Sequence, residues 1–425
     1  MKMIDDFISN NKNNSKTALI FKHNCQWIKK SFAEFLNDIF KMNNLIKNEA
    51  KDENILIFSY PYTYEFYVTA FSVILSGKNL IIIDSFKDKK KLQMMLSLSS
   101  TSTIICDSLT RFASFIFPKN IKRINANKFK KYSTLEYFQY SGKVITFTSG
   151  TTGMPKMIKR SVSFLFDQVD MIRSNIEFSP NELLYALLPM YSIMSLFLGY
   201  TTIINKNSNA VAKFNPTALI APIKSLQKIE KPIISVKKAF IGGAILYSKE
   251  SKQLQNNLPN AEITYIYGAS ESAMIYKTTV RKYIENPFTF DEEIKGVTIS
   301  IVNPDQNGVG EISIEGETVI SKNHNHLTSD LGRILDGKLQ IVGRKKYSQL
   351  GFYNYLVDEE VLKANPKVKE AFSFAFNSKK YVAYCGILTN EIDGIIYKKV
   401  NKIPHDLKHN TKADYSKLVE IVTKQ

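Results

Sequence analysis

Disulfide and zinc chemistry have almost no cysteine to work with in this chain. Cys25, Cys106 and Cys385 are the whole complement of 425 residues, they lie far apart, and their separation matches no metal-ligand spacing. A reducing compartment, the cytoplasm, is therefore the expected setting. Long apolar runs are missing as well. The most hydrophobic stretch, residues 54–84, is broken by Pro61, Glu65, Gly77 and Lys78, so it reads as strand, helix, strand, and no membrane span is expected. The start, MKMIDDFISNNKNNSK, carries acids early and no apolar core of leader length, which argues against secretion. No repeat period and no low-complexity linker divides the chain. Acids are the scarcer charge, 39 against 57 lysines and arginines, for a formal net charge of +18. The runs KDKKK at 87–91 and KFKK at 128–131 are short, and lysine is otherwise scattered among asparagine and isoleucine. That mixture argues against a nucleic-acid role and reads as solvated surface able to attract an acidic partner.

The length suffices for one large domain and one small one. NILIFSY reads as a buried strand, YTYEFYVTAFSVILSG as a helix ending at Gly77, and KNLIIID as a second strand; KKLQMMLSLSSTSTIICD continues the alternation and KVITF supplies another strand. Alternation of this kind predicts an α/β architecture with its functional loops at the carboxyl ends of parallel strands. KAFIGG and TYIYG repeat the pattern of a strand running into a glycine-bearing turn. From 294 to 343 the pattern changes to short strands with turns, a β-rich subregion in which residues 305–308 make a hairpin connection. GKLQIVGRKK is the expected hand-over between domains. The predicted division is a large multi-layer α/β amino-terminal domain, 1–343, and a small α+β carboxyl-terminal domain, 344–425.

The most informative stretch is TSGTTGMPK, residues 148–156. Thr148, Ser149, Thr151 and Thr152 offer hydroxyl donors, Gly150 and Gly153 let the backbone approach an anion closely, and Lys156 adds a cation, so the segment can wrap a phosphate. It is not a Walker A loop, because Gly-x-x-x-x-Gly-Lys-Ser/Thr does not occur. The order of residues resembles the phosphate-loop signature of the adenylate-forming (AMP-binding) superfamily, which includes acyl-CoA synthetases, amino-acid adenylation domains and luciferases. Further segments resemble that superfamily in the expected order: GGA at 242–244, YGASES at 267–272, TSDLGR at 328–333, GRKKYSQLGF at 343–352, and PHDLKHNTKADY at 404–415.

The resemblance implies ATP-dependent activation of a carboxylic acid to an acyl-adenylate with release of pyrophosphate, then transfer to the thiol of CoA or of a carrier-protein phosphopantetheine. It implies that the loop contacts the phosphates, that Glu271 and Thr152 hold magnesium, and that Tyr267, with Gly268, Ala269 and Ser270 behind it, stacks on adenine. Gly242, Gly243 and Ala244 would lie against the adenine and the acyl group. Asp330 would accept hydrogen bonds from the ribose hydroxyls, with Arg344 reaching ribose or phosphate. Lys412 would bridge the attacking carboxylate and the α-phosphate, and Lys346 would be the hinge of a mobile lid. Read singly, Tyr267 could be core, Glu271 a helix cap and Lys412 surface. Four positions depart from the family pattern: Ser329 where glycine is usual, Tyr347 where a small or acidic residue is common, Thr411 before Lys412, and Tyr191 in LLPMYSIMS. That last segment carries no acid to pair an α-ammonium group, which favours a fatty or aryl acid held by Tyr191, Gly243 and Tyr267. The alternatives are an amino-acid adenylation protein of a peptide-assembly pathway, served by a peptidyl-carrier protein, and a homologue that binds nucleotide or acyl ligand without turnover.

Overall fold

Strands Asn54–Phe58, Asn79–Ile82 and Thr103–Cys106 are almost entirely buried, as expected of parallel strands covered on both faces. In the computed structural model the described residues are 2–59, 63–83, 88–107, 110–139, 141–149, 155–205, 207, 211–226, 229–320, 325–348, 353–389, 391–404 and 413–423. They divide into two compact units, 1–221 with 235–238 and 222–234 with 239–425.

In the first unit, helix Tyr64–Leu75 connects the first two of those strands and is buried on every side, which explains why its sequence is apolar without a helical stripe. Its first turn is closed by Thr63, whose side chain accepts from the Phe66 N–H at 3.4 Å. Helix Lys89–Leu98 makes the next crossover. With Lys122–Asn125, Lys143–Ser149 and Pro155–Ser161 the strands form a six-stranded sheet, parallel except for its last pair. That last pair matters for the phosphate loop. Lys143–Ser149 and Pro155–Ser161 are antiparallel, with Ser149 opposite Pro155 and Thr148 opposite Lys156. Thr148 and Ser149 therefore end a strand, and Lys156 lies on the returning one. A second set of strands runs in the order Ala218–Pro222, Leu183–Ala186, Thr201–Ile204, Thr17–His23, Gln26–Ser31, parallel up to the final hairpin.

The second unit contains the β-rich subregion. Strands Thr289–Phe290, Lys338–Arg344, Asn325–Leu335, Gly310–Glu315 and Thr298–Val302 form an antiparallel sheet in that order. The connection at 305–308 is a hairpin turn, with the Gly308 N–H donating to Asp305 O at 2.9 Å and the Val309 N–H to the Asp305 carboxylate at 3.0 Å. A tighter hairpin, Asp336–Gly337, has both residues at positive φ, 50° and 74°, the conformation that favours Asp-Gly between twisted strands.

Beyond residue 344 the chain builds a three-stranded sheet, Val368–Phe376 against Lys379–Gly386 and the latter parallel to Ile395–Lys399. Side chains alternate across it. Phe374, Ala383 and Cys385 pack on one face with Leu418 and Val422 of helix Tyr415–Thr423, while Ala371 and Val382 pack on the other with Leu362 of helix Tyr355–Ala364. The tail thus owns an apolar core on each face of its sheet.

It is also fastened to residues 247–248. Glu359 is 2% exposed, accepts from the Tyr247 hydroxyl, from the Ser373 N–H at 2.8 Å and from Lys363 Nζ at 3.1 Å. Lys363 Nζ also lies 3.5 Å from the centre of the Tyr247 ring. Burial, then the nearby Glu359 charge, push the Tyr247 phenol well above its ordinary pKa, so it stays a proton donor. Glu360 accepts from the Ser248 N–H at 3.1 Å at the start of helix Ser248–Asn257, where a carboxylate suits both the unpaired amide and the helix dipole. Removing one member of such a buried cluster leaves its partners uncompensated. Glu359→Ala should therefore cost about 3 kcal/mol of stability, and Tyr247→Phe about 1 kcal/mol. Denaturant unfolding of the two variants measures both, and equal losses would show that the hydroxyl, not the carboxylate, organises the cluster.

Candidate active site

Asp330 and Arg344 come together because they are opposite residues in the pairing of Asn325–Leu335 with Lys338–Arg344, joined by the Asp336–Gly337 turn. Arg344 Nε donates to Asp330 Oδ1 at 2.8 Å, and the Tyr267 hydroxyl donates to Oδ2 at 3.0 Å. The Asp330 charge is the first cause of a raised Arg344 pKa. Burial is the first cause of the raised pKa of Tyr267, with the Asp330 charge second, so that phenol remains protonated. Thr328 completes the support: its Oγ1 accepts from the Asp330 N–H at 3.1 Å and donates to Ile312 O at 2.9 Å. A carboxylate with both oxygens already oriented still has free lone pairs for a vicinal diol.

Tyr267 ends the strand Glu262–Tyr267, and the chain turns sharply after it. A Cβ at Gly268 would sit 1.9 Å from Ala273 O, so only glycine permits this turn. Ala269 O accepts from the N–H groups of Ser272 and Ala273 at 3.1 and 2.7 Å, and the Ile275 N–H returns to Tyr267 O at 2.9 Å. Ser270 and Glu271 occupy the crown of the turn. The backbone of Glu271 is held by the Ile320 N–H at 2.8 Å, and its carboxylate lies 3.6 Å from His326 Nε2. Among the described residues no group of three or more His, Cys, Asp or Glu side chains gathers to hold a metal. A cation here would rely on Glu271 with phosphate and water, a donor set of hard oxygens that suits magnesium.

The GGA turn follows strand Lys238–Gly242, and its two glycines have different reasons. A Cβ at Gly242 would approach Ile266 O at 2.9 Å, whereas Gly243 faces open space at φ +83°. Ala244 O is fixed by the Tyr265 hydroxyl at 2.8 Å. In the first unit, Tyr191 lies in helix Pro189–Phe197, half-buried, with its phenol pushed up to about 12 by burial. Lys156 is exposed on its strand. Gly150, Thr151, Thr152, Gly153 and Lys412 lie outside the described residues.

Lys346 is bracketed by two anchors. Before it, Arg344 binds Asp330, and Lys345 ties back through its N–H to Ser329 O at 3.0 Å and through Nζ to Glu311 at 2.8 Å. After it, the Tyr347 ring enters the tail core against Tyr355, Phe372 and Tyr415, at centroid distances of 5.7, 5.1 and 5.2 Å. The Tyr347 departure from the family pattern is thus a packing residue. Gly343 is explained by proximity, since a Cβ there would meet the Tyr355 ring at 2.5 Å. Sequence reasoning assigned no role to Thr328, Tyr265 or His326; Thr328, two residues before the expected ribose carboxylate, was the recognisable one, as a hydroxyl able to bond locally to the backbone.

A family model for AMP-binding enzyme matches residues 7–322. The chain belongs to the AMP-binding enzyme family. It is 25% identical over 313 residues to VraA of Staphylococcus aureus (strain MRSA252), described as a long chain fatty acid-CoA ligase, spanning 64% of this chain and 68% of that one. Its fold is that of ATP-bound MatB from Rhodopseudomonas palustris, with TM-score 0.81 and 16% identity over 99% of each chain. It is also that of the O-succinylbenzoate coenzyme A synthetase MenE from Bacillus subtilis in complex with AMP, with TM-score 0.81 and 16% identity over 97% of this chain and 98% of that one. The protein is an acyl-adenylate-forming ligase, and activation of a carboxylic acid through its adenylate follows from that membership.

Ser329 sits at φ +64°, which explains the glycine usual at this position: an L side chain there is strained. Ser329→Gly should stabilise the protein by about 1 kcal/mol, readable as a higher unfolding midpoint. Asp330→Ala should raise the KM for ATP by about tenfold or more, since charged hydrogen bonds contribute in the ground state. An unchanged KM in steady-state assays would make TSDLGR only a structural turn.

Proposed function

We propose that this enzyme activates an apolar carboxylic acid, fatty or aryl, and passes the acyl group to the thiol of CoA or of a carrier-protein phosphopantetheine. The observation that carries the nucleotide half is the Asp330 carboxylate, oriented by Arg344 and Tyr267 at the foot of the YGASES turn. In the first step the carboxylate oxygen forms a bond to the α-phosphorus of ATP and the bond to pyrophosphate breaks. In the second, the thiol sulfur bonds to the acyl carbon and AMP leaves. Neither step asks the protein for a nucleophile, so its work is positioning and neutralisation of charge.

In this reading the hydroxyls, amides and glycines of residues 148–153, with Lys156, hold the β- and γ-phosphates. Glu271 and Thr152 hold magnesium, which would neutralise phosphate charge when bound. Asp330 and Arg344 hold the ribose, Tyr267 stacks on adenine, and Gly242, Gly243 and Ala244 form the wall between adenine and acyl group. Tyr191 lines the acyl pocket. An apolar acid is supported by helix Pro189–Phe197, whose residues include no charged side chain, and by the similarity to VraA. Pyrophosphate exchange across a panel of fatty, aryl and amino acids tests this: fatty or aryl acids should promote exchange, and exchange with amino acids alone would replace the reading by the peptide-assembly one.

Residues 344–425 act as the lid in this proposal, turning about Lys346 between the anchors on either side of it, and Lys412 supplies the cation for adenylation. Lys412→Ala should slow adenylate formation by about a hundredfold and leave transfer from supplied acyl-adenylate largely intact. Lys346→Pro should do the reverse, because it restricts the backbone rotation of a hinge. Single-turnover measurements of each half-reaction separate the two, and equal loss of both steps in both variants would show that the tail does not alternate.

A further inference from the structure

The positive charge of this chain is unevenly spread. Residues 89–131 hold ten lysines and arginines and one acid, Asp107, so this tenth of the length supplies nine of the eighteen net charges. Asp107 is buried. Nine of these ten basic residues are exposed and Lys91 is half-buried; Lys128 pairs with Glu49 at 2.9 Å.

Within the same stretch stand Phe112 and Phe115, 85% and 81% exposed, the most exposed large apolar side chains among the described residues. Both are held out by the way their segment is tied down. On one side Thr110 is buried, donating its hydroxyl to Phe58 O and its N–H to the Asp107 carboxylate at 2.7 Å. On the other, Phe117 is buried with its ring 4.8 Å from that of Phe58. Arg123 clasps the backbone there, donating to Phe117 O at 3.0 Å and to Pro118 O and Ile121 O at 3.1 Å. Ser114, between the two phenylalanines, faces inward and is buried. With Thr110, Ser114 and Phe117 directed inward, the intervening rings point to solvent, where each forfeits the free energy its burial would contribute.

We propose that this tip anchors the protein on the surface of an anionic bilayer, with Phe112 and Phe115 entering the interface and Arg111, Lys119 and the neighbouring lysines lying over lipid phosphates. Two features favour a bilayer over a protein partner. The rings project, and a lipid interface receives projecting aromatics without a matching pocket. Eight of the ten basic residues are lysine, compact cations suited to anionic headgroups rather than to the fork geometry of fixed carboxylates. Among the described residues no helix is long and apolar enough to cross a membrane, so this attachment is peripheral. The inference is independent of which acid the enzyme activates.

Co-sedimentation of the full chain with vesicles of phosphatidylcholine alone, and of phosphatidylcholine with phosphatidylglycerol, tests it. The chain should bind the anionic vesicles, and binding should fall as salt rises. Phe112→Ser with Phe115→Ser should weaken partitioning by about tenfold per ring while leaving the unfolding midpoint unchanged. In a Trp27→Phe background, the fluorescence of Phe115→Trp should be quenched by brominated acyl chains. Unchanged binding of the double serine variant, or no quenching, would overturn the proposal by showing adhesion through charge alone. Absence of vesicle binding together with capture of an acidic carrier protein through Phe112 and Phe115 would reassign the tip to a protein partner.

Discussion

Asp330 is a charge that the surrounding structure has to meet. Its side chain is 15% exposed, and a carboxylate withdrawn from water is costly unless cations and donors replace the lost hydration. Arg344 provides the cation from the neighbouring strand and Tyr267 a neutral donor from the YGASES turn. Each partner comes from a different segment, so satisfying this one group fixes three things at once: the register of the strand pair, the end of strand Glu262–Tyr267, and the point where the tail begins. In the proposed function this orientation preorganises the acceptor for the ribose diol, because the carboxylate is fixed before the nucleotide binds.

Two kinds of contact organise the tail. Cores on both faces of its sheet let it hold together as a body, through Phe374 and Leu418 on one side and Val382 and Leu362 on the other. The Glu359 cluster and the Glu360 cap nevertheless bind it to Tyr247 and Ser248, three or four residues beyond the GGA turn. A buried ion cluster contributes less net stability than an apolar patch of the same area, but it is intolerant of misplacement, since each partner left unpaired costs more than the contact returns. That makes this docking specific in geometry while modest in net strength.

Much of this was legible in the chain because local chemistry has few solutions. NILIF and KNLII are strands since β-branched runs bounded by polar residues are, and Gly242, Gly243 and Gly268 stand where backbone turns need them. What escaped were relations between distant segments. Residues 148–156 read as a loop, yet their ends are paired strand residues, because polarity reports turns and not how far a ladder continues. For Glu359, nothing local announces that the Tyr247 hydroxyl bonds to it. Nothing local marks Phe112 and Phe115 as exposed, since composition describes what would profit from burial and not what is buried.

Ser329 shows how backbone strain comes to lie beside the proposed ribose carboxylate. A left-handed serine inside a strand costs about 1 kcal/mol, and it persists only where its neighbours over-determine it. Here they do: Ser329 O accepts from the Lys345 N–H, and the hydroxyl of the preceding Thr328 holds the N–H of the following Asp330. The strand pairing is also irregular just beyond, between Leu331 and Gly332. A regular strand would send residues 328 and 330 to the same face at ordinary spacing. The left-handed residue between them instead lets the Thr328 hydroxyl reach the Asp330 amide, leaving that carboxylate free for Arg344 and Tyr267. The serine is tolerated because the backbone shape it strains to adopt is the one that aims Asp330.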